Sequence, residues 1–230
     1  MKTVAIDTSL PSGSVAALDG ERVAEVRFAP AQAHARRIAA ALAEATAELG
    51  WGVADADLVA VIRGPGSFTG LRVGIAAAKG IAWAGGMKIV GVSGFEVIAA
   101  SVGGETPIEV VYDAGRSDLF AATLHPSADA PTGWRTEGGA LVPIGTWVAR
   151  VPAGATLAGP GLDLDAVAAL VAARGDLRPV TGAARLPSAA MAGRLGLRLL
   201  AAGASGSAAE LAPDYLRPSY AQENVASPSR

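Results

Sequence analysis

Apolar and polar residues alternate between two periods along the chain. Lys2–Asp7 is a short apolar run that ends in an acid, and it reads as a strand. Val15–Leu18 and Val23–Phe28 read as two further strands, with Asp19-Gly20 as the tight turn between them. Over Gln32–Leu49 the period changes. Ile38, Leu42, Ala45 and Leu49 fall at helical spacing, and Gly50 is suited to end the helix. Leu58–Ile62 reads as a buried strand. Gly64-Pro-Gly-Ser-Phe-Thr-Gly70 follows, and then a helix from about Leu71 to Ala84. Ile89–Val92 reads as a strand, Phe95–Val102 as a short helix and Ser101–Pro107 as a hinge.

The second half echoes the first. Ile108–Asp113 is again a strand that ends in Asp, followed by strand-like Leu119–Leu124 and Trp134–Leu141. Thr156-Leu-Ala-Gly-Pro-Gly161 then leads into a helical run, Leu164–Ala173, as Val61-Ile-Arg-Gly-Pro-Gly66 leads into its own. Two matched features in the same order suggest a duplicated strand–hairpin–helix unit, with chance recurrence of turn chemistry as the alternative. The last helix is expected at Ser188–Ala202. The expected division is a first lobe over 1–104, a second over 105–221 that carries the last helix, and a flexible tail over 222–230.

Composition narrows the chemistry. The 230 residues contain no Cys and only 2 His, which leaves no disulfide framework or thiol nucleophile and few imidazoles for a metal or a triad. Hydrophobic residues make up 51% and the net charge is −2, so the chain is expected to fold rather than stay disordered. The longest uncharged runs are 12 residues, Gly138–Ala149 and Val151–Leu162, against the roughly 20 of a membrane-spanning helix. Asp7 interrupts the apolar core that a signal peptide would need, so a soluble, cytoplasmic protein is expected. The even charge balance argues against a strong solo nucleic-acid binder.

The sharpest candidate for chemistry is Gly64–Gly70. Gly64 and Gly66 let the backbone approach a ligand, Ser67 or Thr69 is suited to cap the helix, and free N–H groups at a helix start attract anions. The loop matches neither the dinucleotide fingerprint, which needs Gly where Thr69 stands, nor a Walker loop, because Leu71-Arg72 follows Gly70. Its purely structural reading is a capped strand-to-helix turn. Asp7 and Asp113 each end a strand, where an acid holds Mg²⁺ beside a phosphate or initiates its own turn. Asp7, Thr8, Gly64, Gly66, Ser67, Thr69, Gly70 and Asp113 are therefore the candidates for residues near an anion or nucleotide. Hydrolase chemistry has little support, since no Gly-x-Ser-x-Gly or His-Glu-x-x-His occurs and Ser93 falls one glycine short. His34 and His125 read as capping or surface residues. In the helix after the loop, Gly70, Gly74, Ala76, Gly80 and Ala84 leave one face nearly bare, open to a neighbouring helix of the chain or to a second protein.

Several of these residues carry a resemblance. Ala5-Ile-Asp-Thr-Ser9, Ser14-Val-Ala16, His34, Arg63-Gly-Pro-Gly-Ser-Phe-Thr-Gly-Leu-Arg-Val-Gly-Ile75, Gly80, Gly91-Val-Ser93, Asp113-Ala114 and Pro213-Asp-Tyr-Leu-Arg217 resemble the TsaB (YeaZ) family. The family serves bacterial tRNA threonylcarbamoyladenosine formation. The resemblance implies an α/β, actin-like ATPase (ribonuclease H-like) fold, with two related lobes that each hold a mixed sheet and flanking helices. It implies a subunit without chemistry of its own, which supports the catalytic relative TsaD and is joined by the ATPase TsaE. TsaD places threonylcarbamoyl on the adenosine 3′ of the anticodon, and tRNA would be met only indirectly. In isolation the chain would form a homodimer.

Partner contact is expected through the first-lobe helices, with His34, Arg36, Arg37, Arg72, Ala76, Gly80 and Ala84 as interface candidates. No cofactor is required, although weakly held or interface-bound ATP or ADP with Mg is compatible with the resemblance. The catalytic relative's metal-binding His pair aligns with Gly94 and Ile98, so no metal centre is expected. One departure is Asp113-Ala-Gly-Arg-Ser-Asp-Leu-Phe120. The family's Arg is displaced by one position and its Tyr is Phe120, which puts in question any contact those groups carry. The rival reading is a small-molecule kinase or ATPase of the same fold, with Asp7 and Asp113 around Mg²⁺. A peptidase is disfavoured because no nucleophile–base pair is visible.

Overall fold

A computed structural model describes residues 1–29, 34–204 and 206–217, and the side chains of His34 and Ala35 lie outside the described set. The elements are β1 (Lys2–Asp7), β2 (Ser14–Asp19), β3 (Arg22–Arg27), α1 (His34–Glu48), β4 (Leu58–Gly64), α2 (Phe68–Gly85), β5 (Lys88–Ser93), α3 (Gly94–Val102), β6 (Ile108–Gly115), β7 (Asp118–Pro126), β8 (Trp134–Pro143), α4 (Ile144–Arg150), β9 (Thr156–Ala158), α5 (Asp165–Arg174), β10 (Arg178–Pro179) and α6 (Ala189–Ala201). The expected start of the first helix at Gln32, the tail over 222–230 and the placement of the His34 side chain fall outside the described residues.

β1 and β4 are central because their side chains are apolar on both faces. They form the parallel heart of a sheet ordered β3-β2-β1-β4-β5, in which β1, β2 and β3 pair antiparallel. Successive residues serve opposite layers. Val4, Ile6, Val59 and Val61 face α1 and α2, where Ile38, Leu42, Ile75 and Ala78 are buried. Ala5, Ala16, Ala60 and Ile62 face α6 through Ala189, Ala192 and Leu195. Those alanines let α6 come close. A Cβ on Gly196 would stand 2.7 Å from that of Ala60, and one on Gly193 would overlap Leu18.

The second sheet is ordered β10-β9-β6-β7-β8, and β6 holds the place that β1 holds in the first. The echo between the halves is therefore a repeat of topology. α3 lies on one face of this sheet, with Phe95, Ile98 and Ala99 packed on Ile108, Val110 and Tyr112. α4 and α5 cover the other, with Trp147 and Val167 on Val111, Leu119 and Leu157. The layers run α1/α2, first sheet, α6/α3, second sheet, α4/α5.

Four expectations need correction. The last helix was expected with the second lobe, but α6 packs on β1, β2 and β4 of the first sheet. The hairpin turn sits on Gly20-Glu21 rather than Asp19-Gly20, because Asp19 stays in the ladder opposite Arg22. α2 begins at Phe68, three residues early, since Ser67 caps it by accepting from the Gly70 N–H at 3.3 Å. α4 was not foreseen, as its seven residues bury only Ile144 and Trp147 and show little periodicity. No described helix is long and apolar enough to cross a membrane.

Candidate functional site

The candidate residues near an anion meet where β1 and β4 end and α2 begins. Their polar groups are largely spent on each other. The Asp7 carboxylate, 1% exposed, accepts from the Ser9 N–H at 2.9 Å and the Ser9 hydroxyl at 2.6 Å. The Thr8 hydroxyl donates to the Gly70 carbonyl at 2.8 Å, and the Ser67 N–H donates to the Ser9 carbonyl at 2.8 Å. The glycines permit this approach. A Cβ on Gly66 would overlap the Ser9 carbonyl oxygen, one on Gly70 that of Thr8, and one on Gly74 the Thr8 hydroxyl. The Thr8–Ser9 turn thus packs directly against the glycines of the loop, while Gly66 and Ser67 also border the cleft between the sheets. Gly64, at φ +148°, closes on the Asp214 carbonyl instead, and Thr69 is exposed in the first turn of α2.

Burial raises the Asp7 pKa above its ordinary 3.8, outweighing the bonds from Ser9. The native state therefore holds this proton to higher pH than the unfolded chain does. The stability it contributes is complete below the unfolded value and is lost as pH rises through the raised native one. Asp7→Asn keeps an acceptor for Ser9 and removes the buried charge. Its melting temperature is expected to exceed the wild type's near neutral pH, with the difference shrinking towards about pH 4. A pH-independent difference in thermal melts would contradict the assignment.

Asp113 has the matching place at the end of β6. It is exposed, and it accepts from the Gly115 N–H at 2.7 Å. Both strand-ending acids thus initiate their own turns. The displaced Arg116 sits at the β6–β7 turn with φ 59°, and Phe120 is buried against α3 in the second-sheet core. At the positions aligned with the metal-binding pair, Ile98 is buried and Gly94 faces Tyr112, whose hydroxyl lies 2.6 Å from where a Cβ would stand. Among the described residues no three His, Cys, Asp or Glu side chains cluster closely enough to hold a metal.

Between the sheets opens a cleft of about 640 Å³, walled by Leu10, Pro65 and Phe68 on one side and by Tyr112, Phe120 and Pro160 on the other. A strap, Asp214–Arg217, crosses it. Asp214 donates its N–H to the Arg63 carbonyl at 2.8 Å and pairs with the Arg63 guanidinium at 3.1 Å. Arg72 stacks 3.7 Å from the Phe68 ring centre and donates to the Tyr215 hydroxyl at 2.6 Å. Arg217 binds Asp118 of the second sheet at 2.6 Å. Pro213-Asp-Tyr-Leu-Arg217 stood out in the sequence without a role. Contacts more than ninety residues away in the chain supply it.

The first-lobe helices present a separate surface. α1 packs on α2, yet Ala76, Gly80 and Ala84 are left exposed with nothing within 4 Å of a Cβ on Gly80. The small residues of α2 divide between two faces, Gly70 and Gly74 under Thr8 and the other three towards solvent. Trp83, 87% exposed, borders the open stripe. Arg36, Ala40, Ala43 and Ala47 line the exposed side of α1, while Arg37 pairs with Glu44 at 3.1 Å. Arg72, expected at the rim of this surface, is turned to the strap.

Two sheets of the same strand order, with helices between and outside them and a cleft where their central strands end, define the ribonuclease H-like, actin-like two-lobed class. A family model described as tRNA N6-adenosine threonylcarbamoyltransferase (TsaD) matches residues 28–128. YeaZ from Pseudomonas aeruginosa superposes with a TM-score of 0.75 at 26% identity, over 94% of this chain and 99% of that one. The Escherichia coli tRNA threonylcarbamoyladenosine biosynthesis protein TsaB is 32% identical over 126 residues, 53% of this chain and 54% of that protein. An uncharacterized Mycobacterium tuberculosis protein is 38% identical over 126 residues, 52% of this chain and 57% of its own. In sequence the chain spans about half the length of the curated relatives it matches. The chain is thus similar to the TsaB/YeaZ proteins in sequence over about half its length and in fold over nearly all of it.

Proposed function

We propose that this chain is a non-catalytic scaffold and dimerisation subunit of the complex that forms N6-threonylcarbamoyladenosine in tRNA, and that it binds and activates TsaD. The name of the Escherichia coli relative gives the process. The observation that carries the role is the solvent-open stripe Ala76, Gly80 and Ala84 on α2, beside the alanine side of α1 and the exposed Trp83. A helix pair that leaves small residues bare admits a second helix pair at close range. Two such pairs form a four-helix interface, self-complementary when the partner is another copy and shared when it is TsaD. The absence of chemistry is supported by Asp7 and Asp113 serving their own turns and by the Tyr112 hydroxyl lying against Gly94. TsaE joins the assembly, and tRNA is reached through the partners.

Light scattering and a transfer assay test this together. The chain alone is expected to run as a homodimer and to transfer nothing to tRNA. Mixed with TsaD it is expected to form a heterodimer and to raise transfer in the full system. Turnover by the chain alone, or failure to associate with TsaD, would overturn the reading.

A further inference from the structure

We propose that the strap Asp214–Arg217 is a clasp between the two lobes, that Arg217 is its releasing end, and that release of Arg217 widens the cleft the strap crosses. The two halves of the strap are held by different lobes. Asp214 is tied to Arg63 of the first lobe by a backbone bond and an ion pair, and its carbonyl oxygen lies 2.8 Å from where a Cβ on Gly64 would stand. Tyr215 is tied there too, by its hydroxyl to Arg72 and by its ring, 5.0 Å from that of Phe68. Leu216 packs against the second-sheet core, and Arg217 reaches the turn between β6 and β7. Four residues extend over at most about 14 Å, so the lobes cannot part far while both halves hold.

Which half yields is decided at that turn. The Arg217 Nη2 donates to the Asp118 carboxylate at 2.6 Å and to the Gly115 carbonyl at 3.4 Å, so one guanidinium holds both ends of the turn. The two residues between those ends, Arg116 and Ser117, are both left-handed, with φ 59° and 64°. Two-residue hairpin turns of this kind favour Asn-Gly or Gly, because a Cβ is strained there. With Arg-Ser in its place, the turn stores strain that Arg217 keeps from relaxing. The hold is itself incomplete. The Arg217 Nε is buried and finds no partner among the described residues, and release returns it to water. A strained turn and an unsatisfied guanidinium at one contact make the second-lobe half the end that opens. The displaced Arg116 and the Pro213–Arg217 stretch thus meet in a single device.

Amide hydrogen exchange of the full chain tests the releasing end, and a distance between spin labels tests the opening. The Ile144 N–H donates to the Ser117 carbonyl at 3.1 Å and reports on the turn, while the Asp214 N–H reports on the first-lobe half. In Arg217→Ala the Ile144 amide is expected to exchange at least about tenfold faster, with Asp214 within about twofold of the wild type. Adding Ser117→Gly, which relieves the strain, is expected to restore the Ile144 protection. The chain has no Cys, so cysteines placed at Glu21 and Ala173, exposed positions of the two lobes, take up label uniquely. In labelled chain diluted with excess unlabelled chain, Arg217→Ala is expected to shift or broaden the distance distribution. Asp118→Asn is expected to give the same pattern more weakly, and it decides the matter if Arg217→Ala does not fold. Unchanged Ile144 exchange, equal acceleration at Asp214, no recovery with Ser117→Gly, or an unmoved distance distribution would each overturn the proposal. None of those outcomes bears on association with TsaD.

Discussion

Gly70→Ala is expected to destabilise the protein by about 2–4 kcal/mol, against the usual sign of a Gly-to-Ala change in a helix. Helix propensity favours the substitution by about 1 kcal/mol. At this position the new Cβ would overlap the Thr8 carbonyl oxygen, which is backbone and fixed by the β1–β2 connection. The clash is relieved only by moving α2 away from the end of β1. That movement would also break the Thr8 hydroxyl bond to Gly70 and the Ser67 bond to Ser9. Overpacking of this kind costs more than the propensity gain. Gly80→Ala is the internal control, on the same helix with nothing within 4 Å, and is expected to be neutral or stabilising by up to about 1 kcal/mol. Urea unfolding of both variants checks the pair. Equal effects would mean that the fit under Thr8 does not limit stability.

Gly80→Glu is expected to abolish association, with a loss of at least about a hundredfold in affinity for TsaD and for a second copy, while the fold survives. The position is exposed and open, so a glutamate side chain has room in the isolated chain. At a close helix–helix contact the same side chain holds the partner off and buries an unpaired carboxylate. Circular dichroism should match the wild type, the melting temperature should fall only by what self-association contributes at the concentration used, and light scattering should report a monomer. A Gly80→Glu protein that still co-purifies with TsaD at full stoichiometry would place the interface elsewhere. Trp83→Ala provides a graded companion, with weakened association expected because exposed aromatic anchors carry a large share of interface energy.

Much of the first lobe was legible because local rules and tertiary needs agree there. β1 and β4 are apolar at consecutive positions, and such runs become strands buried on both faces. The Gly64–Gly70 stretch announced a close approach of backbone, and the structure has one, although it is the chain's own Thr8–Ser9 turn that approaches. The α2 glycines were misleading in one respect. At about 100° per residue, Gly70 and Ala76 are on different sides of the helix, so the five small positions do not form a single face. The acids at 7 and 113 illustrate the same limit. A strand-ending Asp suits a metal or a turn equally, and only the 2.6 Å contact with the Ser9 hydroxyl and the 2.7 Å contact with the Gly115 N–H distinguish them.

The order of apolar and polar residues by itself determined the central strands, the two long first-lobe helices and the repeat of strand order, and the composition determined that no thiol is present. These follow from periodicity and residue type, which act over a few neighbours. Tertiary structure alone decided that α6 returns to the first sheet, that Asp214–Arg217 spans the cleft, and that α1 leaves Gly80 bare. Each of these depends on which surface a segment meets far along the chain. An amphipathic pattern shows that a face will be buried, but its partner is set by the shapes that the rest of the chain presents.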